Sequence, residues 1–217
     1  VLAPNTRVIE LDAVELAIET VTANGKRVEF RHDGKRIRIE LADPIEVGAN
    51  LTIAVEYRGA PRRGLYFIGP DEGYPDKPMQ IWTQGQDEDS RYWFPCFDTP
   101  NQKATSELSV RVPANLFALS NGSLVSDRVD GGKRIIHWKL DVPHSCYLIT
   151  LAVGDFAAIE TRWREVPVVY YVQRGREAEA EEHRPEVRRA RRERCQRAGF
   201  QWPEPVLEAQ RRGGQRA

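Results

Sequence analysis

The sequence predicts an all-β fold, a twisted two-sheet sandwich (saddle-like) of short antiparallel strands, followed by an Arg-rich, partly helical or disordered C-terminal tail. Three observations carry this. Apolar and polar residues alternate with a period of two in segment after segment, as in RIRIEL (36–41), where Ile37, Ile39 and Leu41 alternate with Arg36, Arg38 and Glu40. Turn signals containing Gly or Asn separate these segments at a spacing of roughly ten residues. No segment before residue 175 shows the helical period of about 3.6.

In chain order, VELAIETV (14–21) places Val14, Leu16 and Ile18 on one face and Glu15 and Glu19 on the other, which predicts a half-buried strand. Asn24-Gly25 supplies the positive φ angles of a two-residue hairpin turn, and VEF (28–30) resumes the alternation. His32 to Lys35 form a second turn into RIRIEL. Asp43-Pro44 and Gly48 to Asn50 then break the pattern before LTIAVEY (51–57). Residues 58–80 are crowded with Gly and Pro and read as a loop with a brief strand near Leu65 to Ile68. Arg58, Arg62 and Arg63 within it read as a solvated loop edge in preference to an anion site.

Beyond residue 105 the alternation returns in ELSVRV (107–112), FALS (117–120), SLVSDRV (123–129) and RIIHWKL (134–140), with turns at Asn121-Gly122 and Asp130 to Gly132. YLITLAV (147–153) is a continuous apolar run suited to a strand covered on both faces. DFAAIE (155–160) and VPVVYYV (166–172) complete the strands, so residues 1–175 read as one β domain. Residues 176–217 hold eleven arginines, eight acidic residues and no lysine, with few large apolar side chains. They read as a charged linker or tail, with partial helix over 177–198 interrupted at Pro185.

Composition narrows the function. With 41% apolar and 29% charged residues and a formal net charge of zero, the chain has no dominant field for nucleic acid or a membrane surface. Its apolar runs fall far short of the ~20 residues that span a bilayer. Cys96, Cys146 and Cys195 are odd in number, far apart and never in a C-x-x-C arrangement, which points to a reducing, cytoplasmic compartment. Cys96 and Cys146 adjoin apolar and aromatic neighbours and read as inert buried thiols. The four histidines form no H-E-x-x-H, His137 sits in an alternating strand as a structural residue, and G-x-S-x-G, P-loop and Rossmann patterns are missing. Self-sufficient hydrolytic machinery is therefore not expected.

One stretch stands out, WTQGQDEDSRYWFPCFDTPNQKAT (82–105). Thr83, Gln84, Gln86, Ser90, Arg91, Phe94, Pro95, Cys96, Asp98, Pro100, Lys103, Ala104 and Thr105 match a pattern T-Q-x-E/Q, then A/S-R, then F-P-C-x-D-x-P-x-x-K-A-T. In this the chain resembles the amino-terminal β domain of the aminopeptidase N-like zinc metallopeptidases, in the leukotriene hydrolase-like variant. YRGAPRRGLYF (57–67), ALSNG (118–122) and YLITLAVGDF (147–156) extend the resemblance over about residues 7–182.

The resemblance implies a substrate-positioning domain of a zinc-dependent aminopeptidase, a hydrolase that releases amino-terminal residues from peptides. Its cofactor, zinc, sits in the catalytic domain, held by H-E-x-x-H and a downstream Glu, while a G-x-M-E-N loop binds the substrate's free amine. Neither motif occurs here, so the resemblance implies no catalytic and no metal-binding residue in this chain and no activity of the chain alone. The partners it implies are a peptide amino terminus and the missing catalytic domain. By match, Gln84 and Gln86 are substrate-binding, with Gln86 sharing the α-amine; many family members carry Glu at that position. Arg91 and Asp98 read as supports that orient the loop, and Tyr92, Trp93, Phe94 and Phe97 as packing. The family begins with further strands before the part resembling residues 7–16, and the likeness stops after about residue 182. The alternative reading is a non-catalytic β-sandwich scaffold or protein-interaction module.

Overall fold

The computed structural model describes residues 5–183. The tail expectations for 184–217 lie outside the described residues. Two compact units result, one ending at Asp155 and the other beginning at Phe156.

The first unit is built from β1 (Thr6–Asp12), β2 (Ala17–Ala23), β3 (Lys26–Arg27), β4 (Phe30–His32), β5 (Arg36–Ile45), β6 (Ile53–Arg58), β7 (Gly64–Ile68), β8 (Gln80–Gln84), β9 (Lys103–Pro113), β10 (Phe117–Ser120), β11 (Ser123–Asp130), β12 (Lys133–Ser145) and β13 (Leu151–Gly154). All pairings are antiparallel. The hydrogen-bonded orders are β1-β5-β4, β3-β2-β6, β10-β13-β8-β7 and β11-β12-β9. The first two of these sheets enclose a core of Ala13, Leu16, Val21, Ile37 and Ile39, flanked by Ile9, Leu11, Phe30, Val55 and Tyr57. Ile37 and Ile39 are both 0% exposed, as the period-two pattern of RIRIEL requires, and each contributes roughly 1.5–3 kcal/mol on burial. A further buried set, Val112, Phe117, Ala118, Ile136, Trp138, Leu151 and Val153, belongs to the other two sheets. There the Trp138 indole N–H donates to the Ala118 carbonyl at 2.9 Å, and Phe117 meets the Trp138 ring edge-on.

The Asn24-Gly25 turn forms with φ of 48° and 78°, and Ala23 pairs with Lys26 across it. At the next turn the Asp33 carboxylate accepts the backbone N–H groups of Lys35 and Arg36 at 2.8 and 2.7 Å. Those bonds hold its pKa below the ordinary value.

Three expectations are corrected. The strand expected from residue 14 begins at Ala17, because the N–H groups of Ala13 and Val14 donate to the Lys35 and Arg91 carbonyls, outside any ladder. Asp43-Pro44 does not break β5, which runs to Ile45. Pro44 falls in the register shift between the pairs Thr6↔Ile45 and Val8↔Glu40, where β5 residues have no ladder partner, so the missing proline N–H leaves no ladder bond unmade. The run 147–153 is not one strand. A 3-10 turn spans Cys146–Leu148, with the Ile149 N–H donating to the Cys146 carbonyl, and β13 starts only at Leu151.

Two arginines of the 58–63 segment, Arg58 and Arg63, are engaged. Arg58 pairs with Glu19, and Arg63 reaches Asp89 at 3.0 Å while lying over the Tyr92 ring. His137 contacts Glu107 through Nε2 at 2.7 Å.

The second unit holds the hairpin β14 (Phe156–Trp163) and β15 (Val166–Gln173), in full register from Phe156↔Gln173 to Trp163↔Val166, and the helix α1 (Glu177–His183). Among the described residues no helix is long and apolar enough to cross a membrane.

Candidate functional site

The 82–105 stretch starts on a strand. β8 lies between β7 and β13, with Gly64 opposite Gln84, Tyr66 opposite Trp82 and Ala152 on the other side of Trp82. The Thr83 hydroxyl accepts the Leu151 N–H at 2.9 Å, which fixes the strand end against β13. Alternation along β8 puts Gln84 on the same face as Trp82. There the Trp82 ring stacks on Tyr66 at 4.8 Å and 25° while remaining 40% exposed.

After Gln84 the chain leaves the sheet. Gln84 and Gln86 are both exposed, and Gly85 between them is buried. A Cβ on Gly85 would stand 2.8 Å from both the Tyr147 Cα and carbonyl oxygen and 3.1 Å from the Ser90 hydroxyl, so the backbone is pressed onto the Cys146–Leu148 turn with no room for a side chain. The Asp89 N–H donates to the Gly85 carbonyl at 2.9 Å and closes the loop into the 3-10 turn Ser90–Tyr92. Ser90 is 1% exposed, and its hydroxyl has no hydrogen-bond partner among the described residues.

Beneath the loop sits a charged clamp. The Asp98 carboxylate, 2% exposed, accepts the Arg91 backbone N–H at 3.0 Å and the Arg91 Nε–H at 3.1 Å. Arg91 Nη2 also donates to the Asp98 carbonyl at 3.0 Å and to Glu88 at 2.6 Å. Asp12, at the end of β1, accepts the Asp98 N–H at 3.2 Å, lies 3.8 Å from Arg91 Nη1 and pairs with Arg36. Two backbone bonds between Asp12 and Cys96 tie that segment to β1. Burial pushes the Asp98 carboxyl above its ordinary value, against the opposing pull of the Arg91 N–H and guanidinium. Burial also draws the Arg91 guanidinium down, but its bond to Asp98 and the charges of Asp12, Asp98 and Glu88 leave it raised overall, hence permanently charged.

The structure therefore brings Gln84 and Gln86 to the surface on either side of one buried glycine and joins Arg91 to Asp98 directly beneath. Sequence reasoning passed over Asp12, whose approach to Asp98 spans 86 positions and leaves no local signal. It also passed over the Tyr66–Trp82 pair, because QIWTQ shows no clear alternation. The packing aromatics divide. Trp93 and Phe94 meet edge to face at 4.5 Å and the Tyr57 hydroxyl donates to the Trp93 carbonyl, whereas Phe97 is half exposed.

Comparison with known proteins agrees with this architecture. A leucyl aminopeptidase of Saccharolobus solfataricus is 31% identical over 153 residues, 70% of this chain and 18% of that protein. Aminopeptidase B of Rattus norvegicus is 30% identical over 131 residues, 60% of this chain and 20% of its own. The chain thus spans about a fifth of the length of the curated relatives it matches. Among solved structures, an M1 zinc metallopeptidase from Deinococcus radiodurans bound to a Tyr-Ser-Ala substrate shares the fold. Its TM-score is 0.65 at 21% identity, over 77% of this chain and 40% of that one. The family model for the peptidase M1 N-terminal domain matches residues 2–148, from β1 through the glutamine loop to the turn behind it, and the chain belongs to that family.

Proposed function

We propose that the chain is the substrate-positioning domain of a zinc-dependent aminopeptidase, with Gln84 and Gln86 receiving the free α-amine of a peptide. The observation that carries this is the presentation of the two glutamines. Both are exposed, on a loop immobilised by the buried Gly85 and the Arg91–Asp98–Asp12 clamp. A loop held from below keeps its polar side chains at fixed positions, so little ordering entropy remains to be lost when an ammonium group arrives. Each glutamine amide oxygen accepts from the ammonium, and each NH2 donates to a neighbouring carbonyl. Arg91 and Asp98 act on the backbone of the loop and not on the peptide.

Among the described residues no three His, Cys, Asp or Glu side chains cluster to hold a metal. In this reading zinc belongs to a catalytic domain outside this sequence, where it supplies Lewis-acid activation of the scissile carbonyl and a water nucleophile. The thiols of Cys96 and Cys146 are free, as suits a cytoplasmic enzyme.

The test uses the enzyme carrying both domains. Gln86→Ala is expected to raise KM for free-amine substrates by about tenfold, the worth of one hydrogen bond to a charged group, with little effect on blocked amino termini. An unchanged preference for free over blocked termini refutes the assignment. Bound zinc without release of an aminoacyl group supports a scaffold module instead.

A further inference from the structure

Cys96 and Cys146 lie fifty positions apart, yet the fold places them side by side. Cys96 is held by its two backbone bonds to Asp12 and is 7% exposed. From the opposite direction, the Ser145 hydroxyl donates to the Pro100 carbonyl at 2.6 Å, which lays the end of β12 along residues 96–100. The next residue, Cys146, then points its Sγ at the Phe97 carbonyl at 3.6 Å, one residue along from Cys96, and the two thiols lie close enough to perturb each other's ionisation.

We infer that Cys96 and Cys146 form a thiol-oxidation site that takes a hydroperoxide and closes to a reversible intramolecular disulfide. The two thiols differ in a way that assigns their roles. Cys96 is buried at 7% exposure, which keeps its thiol from an incoming peroxide and disfavours its thiolate. Cys146 is the more exposed of the two. Cys146 is therefore the attacking thiolate and Cys96 the resolving thiol. In the first step the Cys146 sulfur attacks one oxygen of the peroxide. An S–O bond forms, the O–O bond breaks, and the departing hydroxide takes up the proton that Cys146 released, giving water. In the second step the Cys96 sulfur attacks the Cys146 sulfenic acid. The S–S bond forms, the S–O bond breaks, and a second water leaves with the Cys96 proton. The two sulfurs give up two electrons and the peroxide accepts both. A reductant thiol reverses the sequence by exchange.

The test is made on the full chain carrying Cys195→Ser, so that only this pair remains. The reduced protein is treated with hydrogen peroxide, alkylated and cleaved with trypsin without reduction. The expected result is joint loss of both free thiols and a covalent link between peptides 92–103 and 140–162 in a species that runs as a monomer. Dithiothreitol is expected to restore both thiols. In Cys96→Ser, the Cys146 sulfenic acid has no resolving partner and is expected to pass on to sulfinic acid. Sulfinic acid at Cys146 with Cys96 still alkylatable in the unsubstituted pair overturns the inference. So does a link found only in dimers, or two thiols that stay reduced; the unsubstituted pair decides even if Cys96→Ser does not fold.

Discussion

Replacing Gly85 by alanine tests the claim that the glutamine loop is held by contact and not merely tethered at its ends. The added Cβ meets the Tyr147 Cα and carbonyl oxygen, both at 2.8 Å, and neither atom can turn aside as a side chain would. Overpacking of this kind costs about 1–3 kcal/mol. The φ of Gly85 is not left-handed, so alanine regains about 0.4–1 kcal/mol by restricting the unfolded chain. The net loss is roughly 1–2 kcal/mol, a fall in Tm of about 2–8 °C for a chain of this size. Two controls bracket it. A Cβ on Gly73 meets only Asp71 Oδ1 at 3.6 Å, and one on Gly69 meets only the flexible Met79 side chain, so both alanine variants keep the entropic gain without the clash and should melt about 1–4 °C above the parent by the same scaling. Thermal melts of the three variants decide the matter. A Gly85→Ala melt equal to that of Gly73→Ala refutes the packed-loop argument, and with it the claim that Gln86 is fixed in place.

Other outcomes follow from the same geometry. Asp98→Ala removes the buried carboxylate that accepts both the Arg91 backbone N–H and its Nε–H, while Glu88 and the residue-98 carbonyl still hold the guanidinium, and a loss of about 2–3 kcal/mol is expected in urea titration. Ser90→Ala removes a buried hydroxyl that has no partner among the described residues and should raise stability by about 1 kcal/mol in the same titration. Gln86→Glu in a two-domain enzyme replaces a neutral acceptor by a charged one, and KM for free-amine substrates should fall by about tenfold. The bidentate bonds from Arg134 hold the Asp127 carboxyl below its ordinary 3.8, so its stabilisation is present above that pH and lost as pH falls through the depressed value. The melting difference between wild type and Asp127→Asn, about 0.5–1 kcal/mol near pH 6, should vanish near pH 2.

What could be read from the sequence was whatever is written locally. Asn24-Gly25, the alternation of Arg36 to Leu41 and the pattern around Gln84 and Gln86 depend on neighbours a few positions away, and each needed no knowledge of the fold. The misreadings arose where a distant backbone competes for hydrogen bonds. Val14 looked like a strand residue by period, but the Arg91 carbonyl takes its N–H. Tyr147 to Ile149 looked like the start of a buried strand, yet the turn there is where Gly85 comes to rest. Pro44 signalled a break that the register shift between β1 and β5 makes unnecessary. For the site, the glutamines were legible through a family pattern, whereas Asp12 and the meeting of Cys96 with Cys146 exist only after folding.

The bond from the Asp98 N–H to the Asp12 carboxylate also bears on the order of assembly. Closing a loop of 86 positions costs more entropy than any hairpin in the chain, and the cost precedes the contacts that offset it. The glutamine loop therefore reaches its folded shape late, after β1 has found the Phe94–Asp98 segment, although Gln84 itself is paired to its neighbour strand much earlier. A nascent or partly unfolded chain has its sheets before it has its clamp. Amide exchange in residues 85–91 should accordingly keep pace with opening of β1 and not with opening of β7 and β8, so that the timing of this loop is governed from the other end of the domain.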